Sequence, residues 1–190
     1  VNNYEAVWLD DKSNVDLGFV VRGTSRRPGL PSTVDKTLTI PGRHGQYDFG
    51  ADLSARSIVL DCVFITRNAT ELQQKVMELA RFLTDSYGRP RTIKLRLRER
   101  PGQHFTVRYV GSFDIERIIG TGLFSLTFTA FDPFAYGDQE RIYEDVITVS
   151  PHEQIVETVG NVRTAPVIVL TNEGSETITH FRITNEYRLE

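Results

Sequence analysis

Apolar residues in this chain recur chiefly at every second position, and at one place with the spacing of a helix. Between residues 68 and 83, Leu72, Val76, Leu79, Ala80 and Leu83 recur in steps of three and four. That spacing gathers them on one face and leaves Glu71, Lys75, Glu78 and Arg81 largely off it. Asn68 followed by Glu71 at the third position is close to a capping box, and Gly88 and Pro90 mark a stop, so one helix of about four turns is predicted over 68–85.

The remainder reads as strands. Over 92–98, Ile93, Leu95 and Leu97 alternate with Thr92, Lys94, Arg96 and Arg98, the period-two pattern of a sheet with one wet face. Arg100-Pro101-Gly102-Gln103 is a turn, and Phe105, Val107 and Tyr109 alternate beyond it, so 92–111 is predicted to be an antiparallel hairpin with a loop of about five residues. A strand at 122–131 places Phe124, Leu126 and Phe128 on one face and Ser125, Thr127 and Thr129 on the other. Earlier strands are expected at 4–9, 17–24, 34–40 and 56–65.

Asp132-Pro133-Phe134-Ala135-Tyr136-Gly137 interrupts the alternation and is read as a boundary between 1–137 and 138–190. From Asp138 to Glu157 six carboxylates face the lone Arg141. Strands at 161–171 and 176–184 are expected around a turn at Asn172-Glu173-Gly174-Ser175. Two hairpins rarely hold together alone, so this tail is expected either to pack on the first domain or to open a truncated β-sandwich.

Composition narrows the classes. An aromatic content of 10% excludes intrinsic disorder, and a chain of 190 residues buries enough surface to fold without staples, as a single Cys62 requires. With 22 Lys and Arg against 25 Asp and Glu, the net charge of −3 supplies no global field for nucleic acid or an anionic membrane. The longest apolar runs fall far short of the roughly 20 residues that span a bilayer, and the N-terminus has no signal-peptide pattern, so the chain reads as cytosolic in origin. It begins without methionine and closes on Leu189-Glu190, which reads as one or two cloning boundaries.

Enzyme signatures are scarce. The sequence holds no phosphate-binding loop, nucleophile elbow, His-Glu-x-x-His or Cys-x-x-Cys, and its four histidines are scattered, so neither metal nor cofactor is expected. The stretch 41–50, with His44, Asp48 and glycines 42, 45 and 50, is read as a tight shaped loop whose Tyr47 and Phe49 pin it to a neighbouring surface. Cys62 is expected to act as a small buried hydrophobe, and Asn68-Ala69-Thr70 to cap the helix rather than to carry a glycan. Seven basic residues, Arg89, Arg91, Lys94, Arg96, Arg98, Arg100 and Arg108, form a ribbon without interleaved aromatics on its face. The simplest use for it is pairing with carboxylates of the 138–157 stretch or of another subunit; contact with phosphates is the rival.

The order of these features, a Pro41-Gly42-Arg43-x-Gly45 loop with Tyr47-Asp48 behind it, a strand, one helix, a hairpin, then Leu126-Thr127-Phe128 and Asp132-Pro133-Phe134-Ala135-Tyr136-Gly137, resembles the distal tail proteins of siphophages and prophages over about 15–137. The resemblance implies a mainly β fold with one helix: a tail-tube-like β-sandwich or barrel at 1–137, followed by the first strands of a truncated galectin-like β-sandwich, with Thr164-Ala165-Pro166-Val167-Ile168-Val169 as an early strand. It further implies a six-membered ring at the virion tail tip, assembled in the bacterial host cytoplasm. That ring joins the tail tube protein to a tail-associated fibre or lysin protein and to receptor-binding proteins, with no enzymatic, membrane or specific nucleic-acid role.

Function is then expected in surfaces, and Arg43, His44, Tyr47, Asp48, Lys94, Arg96 and Arg98 are the candidate contacts with other subunits or partners. Two other classes remain as alternatives. One is a nucleic-acid-binding β domain using the basic hairpin at 91–108. The other is a hydrolase of wall polysaccharide using a carboxylate pair such as Asp48 and Asp52.

Overall fold

The structure, a computed structural model, describes residues 4–118, 120–157 and 159–186. The chain divides into two units, Val1–Arg141 and Ile142–Glu190. In the first unit, strands β1 (Val7–Leu9), β2 (Lys12–Ser13), β3 (Phe19–Val21), β4 (Thr33–Leu38), β5 (Tyr47–Leu53) and β6 (Arg56–Ile65) lead to helix α1 (Ala69–Leu83). β7 (Thr92–Leu97), β8 (Gln103–Tyr109), β9 (Ile115–Ile118), β10 (Thr121–Ala130) and β11 (Tyr136–Gly137) follow.

Nine strands form one antiparallel sheet in the order β2-β1-β7-β8-β10-β6-β3, with β11 added to β8 and β9 to β10, while β4 and β5 form a separate two-stranded sheet. β10 pairs with β6 along its whole length. On its other side it meets β9 near its start and β8 only at Phe128 and Thr129. Because one strand is shared between diverging neighbours, the large sheet curls into a half-barrel. The fold is mainly β with one helix, as the alternation indicates.

Alternation decides which face is buried. Arg56, Ile58, Leu60, Cys62 and Phe64 of β6 and Phe124, Leu126, Phe128 and Ala130 of β10 point into the core, joined by Ile93, Leu95 and Leu97 from β7 and Phe105 and Val107 from β8. Phe64 stacks on Phe124 with centroids 4.6 Å apart, and Phe19 meets both edge-on, arrangements that add to what area burial alone contributes. α1 buries Leu72, Leu79 and Leu83. The helix comes so close to β10 that a Cβ on Gly122 would lie 2.8 Å from Leu72 Cδ1 and 3.0 Å from Ile115 Cγ2, so this position admits only glycine without repacking.

The expected helix stop lies later than the observed one. α1 ends at Leu83, where Thr84 turns extended and its Oγ1 donates back to Ala80 O at 3.0 Å. The Asp85 carboxylate then accepts the N–H groups of Tyr87 and Arg89 and turns the chain toward β7. Four strands lie outside the sequence expectations: β5, taken there as loop, and the short β2, β9 and β11.

The second unit contains no strand or helix among its described residues, and all of these are exposed. Segments 161–171 and 176–184 are therefore not strands here: they carry apolar β-formers such as Val167 to Leu170, but no ladder forms on them. The expected turn does form, with Asn172 Oδ1 accepting Gly174 N–H at 3.0 Å and Nδ2 donating to Glu176 O at 2.8 Å. Within this unit His152 Nε2 lies 3.0 Å from Asp145 Oδ2.

Candidate functional site

The first candidate surface is the arm formed by β4 and β5. All thirteen residues of these strands are exposed, and Val34, Leu38, Tyr47, Phe49 and Leu53 lie between 38% and 65% exposed. Leu38 faces Tyr47 across the ladder near the tip and Thr33 faces Leu53 at the base. Between these pairs the register slips, so that Phe49 and Gly50 together oppose Lys36, a bulge for which Gly50 adopts a φ of 89°. The arm tip is shaped by Gly42 and Gly45, both at positive φ, and Arg43 lies over the Tyr47 ring at 3.8 Å. His44 is exposed at the tip, and Asp48 Oδ1 accepts the Gly50 N–H at 2.8 Å. Tyr47 and Asp48 thus belong to a strand rather than to the expected loop.

The second is the basic hairpin of β7 and β8. Lys94 and Arg96 share its outer face, whereas Arg98 lies just past the end of β7, its N–H donating to Ala6 O at 3.1 Å. Arg96 donates to Asp10 O at 2.7 Å and to Asp138 Oδ1 at 3.1 Å. Arg91 bridges Asp10 Oδ2 and Phe82 O at 3.0 Å each. Asp10 Oδ1 also accepts the Lys94 backbone N–H at 2.9 Å. Guanidinium groups also rest on aromatic rings: Arg108 on Phe131 at 4.6 Å, Arg91 on Phe82 at 5.3 Å and Arg100 on Phe105 at 5.6 Å. Much of this charge is thus compensated inside the fold, which leaves less of it for phosphates. Of the 138–157 carboxylates, Asp138 supplies the pairing expected for the ribbon.

Neither candidate centre for covalent or hydrolytic chemistry is assembled. Cys62 is fully buried, and burial pushes its thiol up to about 12; a thiol so rarely ionised is no nucleophile. Asp52 pairs with Lys36. Because Asp52 sits opposite Val34 and Asp48 opposite Thr37, the bulge sends the two carboxylates to opposite faces of the arm, where they cannot flank one bond. Among the described residues no three His, Cys, Asp or Glu side chains gather as a metal site would require, and no helix is long and apolar enough to cross a membrane.

Sequence reasoning missed three anchors beneath these surfaces: Asn14, Arg56 and His104, all buried polar groups. No periodicity marks them. Only Arg56, at the inward register of Ile58, Leu60 and Phe64, could have drawn attention; His104 sits at the outward register, opposite Arg96, and is covered by the segment carrying Tyr136 and Asp138.

No curated protein matches the chain. Among solved structures, the chain is similar to the crystal structure of the Dit protein of phage SPP1, presented as a paradigm of the hub adsorption apparatus in phages infecting Gram-positive bacteria. The TM-score is 0.59 at 21% identity over 70% of this chain and 51% of that one, a likeness of fold, and the chain thus spans about half the length of that protein. Residues 15–130 match the phage tail protein RIFT-related domain. That match takes in the arm, the helix, the basic hairpin and the long β6–β10 pair, so the chain belongs to this family and is a phage tail protein with a Dit-like fold.

Proposed function

We propose that the chain is a structural subunit of a ring hub at the phage tail tip, joining the tail tube to the adsorption apparatus, with residues 142–190 beginning a second domain. The observation that carries this reading is the exposed arm. A two-stranded hairpin is marginal in water by itself, and one that displays Val34, Leu38, Phe49 and Leu53 gains by covering them. A head-to-tail ring provides such cover repeatedly, since each subunit offers its arm to the next. Arg43, His44, Tyr47 and Asp48 would lie in that contact. Lys94 and Arg96, on the outer face of the hairpin, and Arg98, just past the end of β7, would face a neighbour or an axial partner. The likeness of fold to the Dit protein of SPP1, described as a paradigm of hub adsorption apparatus, supports the same reading.

Light scattering across protein concentration tests it. The expected mass is about six times the 21.6 kDa chain, roughly 130 kDa. Phe49→Asp with Leu38→Asp should reduce that mass toward the single chain while leaving the circular dichroism of the sheet intact, because both residues are exposed within the subunit. A monomer at every concentration would overturn the ring assignment.

A further inference from the structure

The first unit ends in a short segment whose hold on the sheet is polar and local. β8 is paired with β7 along one side through His104 to Arg108. On the other side β10 reaches only Arg108 and Tyr109, so the edge at Gln103 and His104 is left to β11, which contributes two pairs, Tyr136 with His104 and Gly137 with Gln103. Little apolar surface secures it. Ala135 packs against the core, but Phe134 and Tyr136 remain 38% and 44% exposed.

Hydrogen bonds supply the rest. Arg56, whose guanidinium also donates to Pro28 O and Gly29 O, gives its Nε–H to Pro133 O at 2.9 Å. Asp132 accepts the Phe134 N–H and the Tyr136 hydroxyl. The Asp138 N–H donates to Gly102 O at 2.9 Å. Its carboxylate takes Arg96 Nε–H at 3.1 Å and lies 2.8 Å from His104 Nδ1. Partial burial acts to raise the Asp138 carboxyl, yet the bonds from Arg96 and His104 outweigh it and hold the group below the usual carboxylate range.

We propose that residues 132–138 are a latch with Asp138 as its catch: opening it uncovers the free edge of β8 and passes these seven residues into the connection with the second unit. Segments with few apolar contacts and solvent-facing bonds open well before the core does. An opened latch lengthens the connection by up to roughly 23 Å at about 3.3 Å per residue. Because Arg96 and Asp138 are 31% and 23% exposed, salt weakens the catch.

Hydrogen exchange by mass spectrometry on the full chain tests the proposal, comparing wild type with D138N and R96Q at low and high salt. D138N is expected to speed exchange about tenfold or more in peptides covering 103–106 and 134–139, with 58–64 and 124–128 unchanged, and R96Q combined with D138N should add little. Exchange of the wild type in the same two peptides should rise with salt. Equal protection in wild type and D138N would overturn the latch. So would a loss spread evenly into 58–64, which would make Asp138 a general stabiliser. The readout is local to each chain, so it stands whether or not a ring forms.

Discussion

Asn14 shows how much a single polar side chain can organise. It is fully buried between β2 and β3. Its Oδ1 accepts the N–H groups of Ala6 at 2.8 Å and Val7 at 3.3 Å, and its Nδ2 donates to Phe19 O at 2.9 Å and Tyr4 O at 3.1 Å. One amide therefore stitches the start of the first unit to an edge of the sheet. Replacing it with Leu, similar in size, would leave the Val7 N–H and Phe19 O without that partner at buried positions and the Ala6 N–H and Tyr4 O at part-buried ones, and each fully buried group of this kind costs about 1–3 kcal/mol. Asn14→Leu is accordingly expected to lower stability by about 3 kcal/mol or more in urea unfolding; a loss under about 1 kcal/mol would show that water reaches these groups. Nothing in the spacing of residues near Asn14 distinguishes it from a turn asparagine. Cys62 is the opposite case, because its place at an inward position of an apolar strand is enough to assign it to the core.

At the scale of elements, α1 was legible because its signals are local. Asn68 Oδ1 accepts the Glu71 N–H at 2.9 Å, while the Glu71 carboxylate reaches back to the N–H of Arg67, one residue before the position a capping box would use. Asn68→Ala should cost about 1 kcal/mol, read as a lower thermal midpoint, with Asn68→Ser recovering most of it. The β7–β8 hairpin and β6 were equally legible, since burial of one face imposes a period of two. β5 was not. Tyr47, Phe49, Ala51 and Leu53 do alternate, but glycines 42, 45 and 50 suggested loop, and the bulge at Phe49–Gly50 breaks the alternation in space. β9 and β11 are four and two residues long. Elements so short exist because β10 and β8 offer them an edge, and that offer is a property of distant chain.

For the whole molecule, acid is expected to be the sensitive direction. Asp61 is held below its usual range by hydrogen bonds from Ser125 and Thr24, and Asp138 by Arg96 and His104, which overcome the opposing effect of burial. A carboxyl depressed in the folded state stabilises it above the unfolded value and loses that contribution as pH falls through the folded value. Urea midpoints should therefore be flat between about pH 5 and 7 and decline below about pH 4, less steeply in Asp61→Asn. An unchanged profile in that variant would remove Asp61 as a source. The same division between near and far runs through the protein. Hydrophobic period and turn chemistry settle one helix, the long strands and their buried faces, because each depends on neighbours within a few residues; the resemblance to phage tail proteins rests instead on the order of motifs along the chain. The curl of the sheet, the bulged arm, the Phe131 ring beneath Arg108 and the seat of Asp138 between Arg96 and His104 arise only when residues far apart in sequence meet, because a single-chain pattern carries no term for which edge remains unpaired or which charge lies across it.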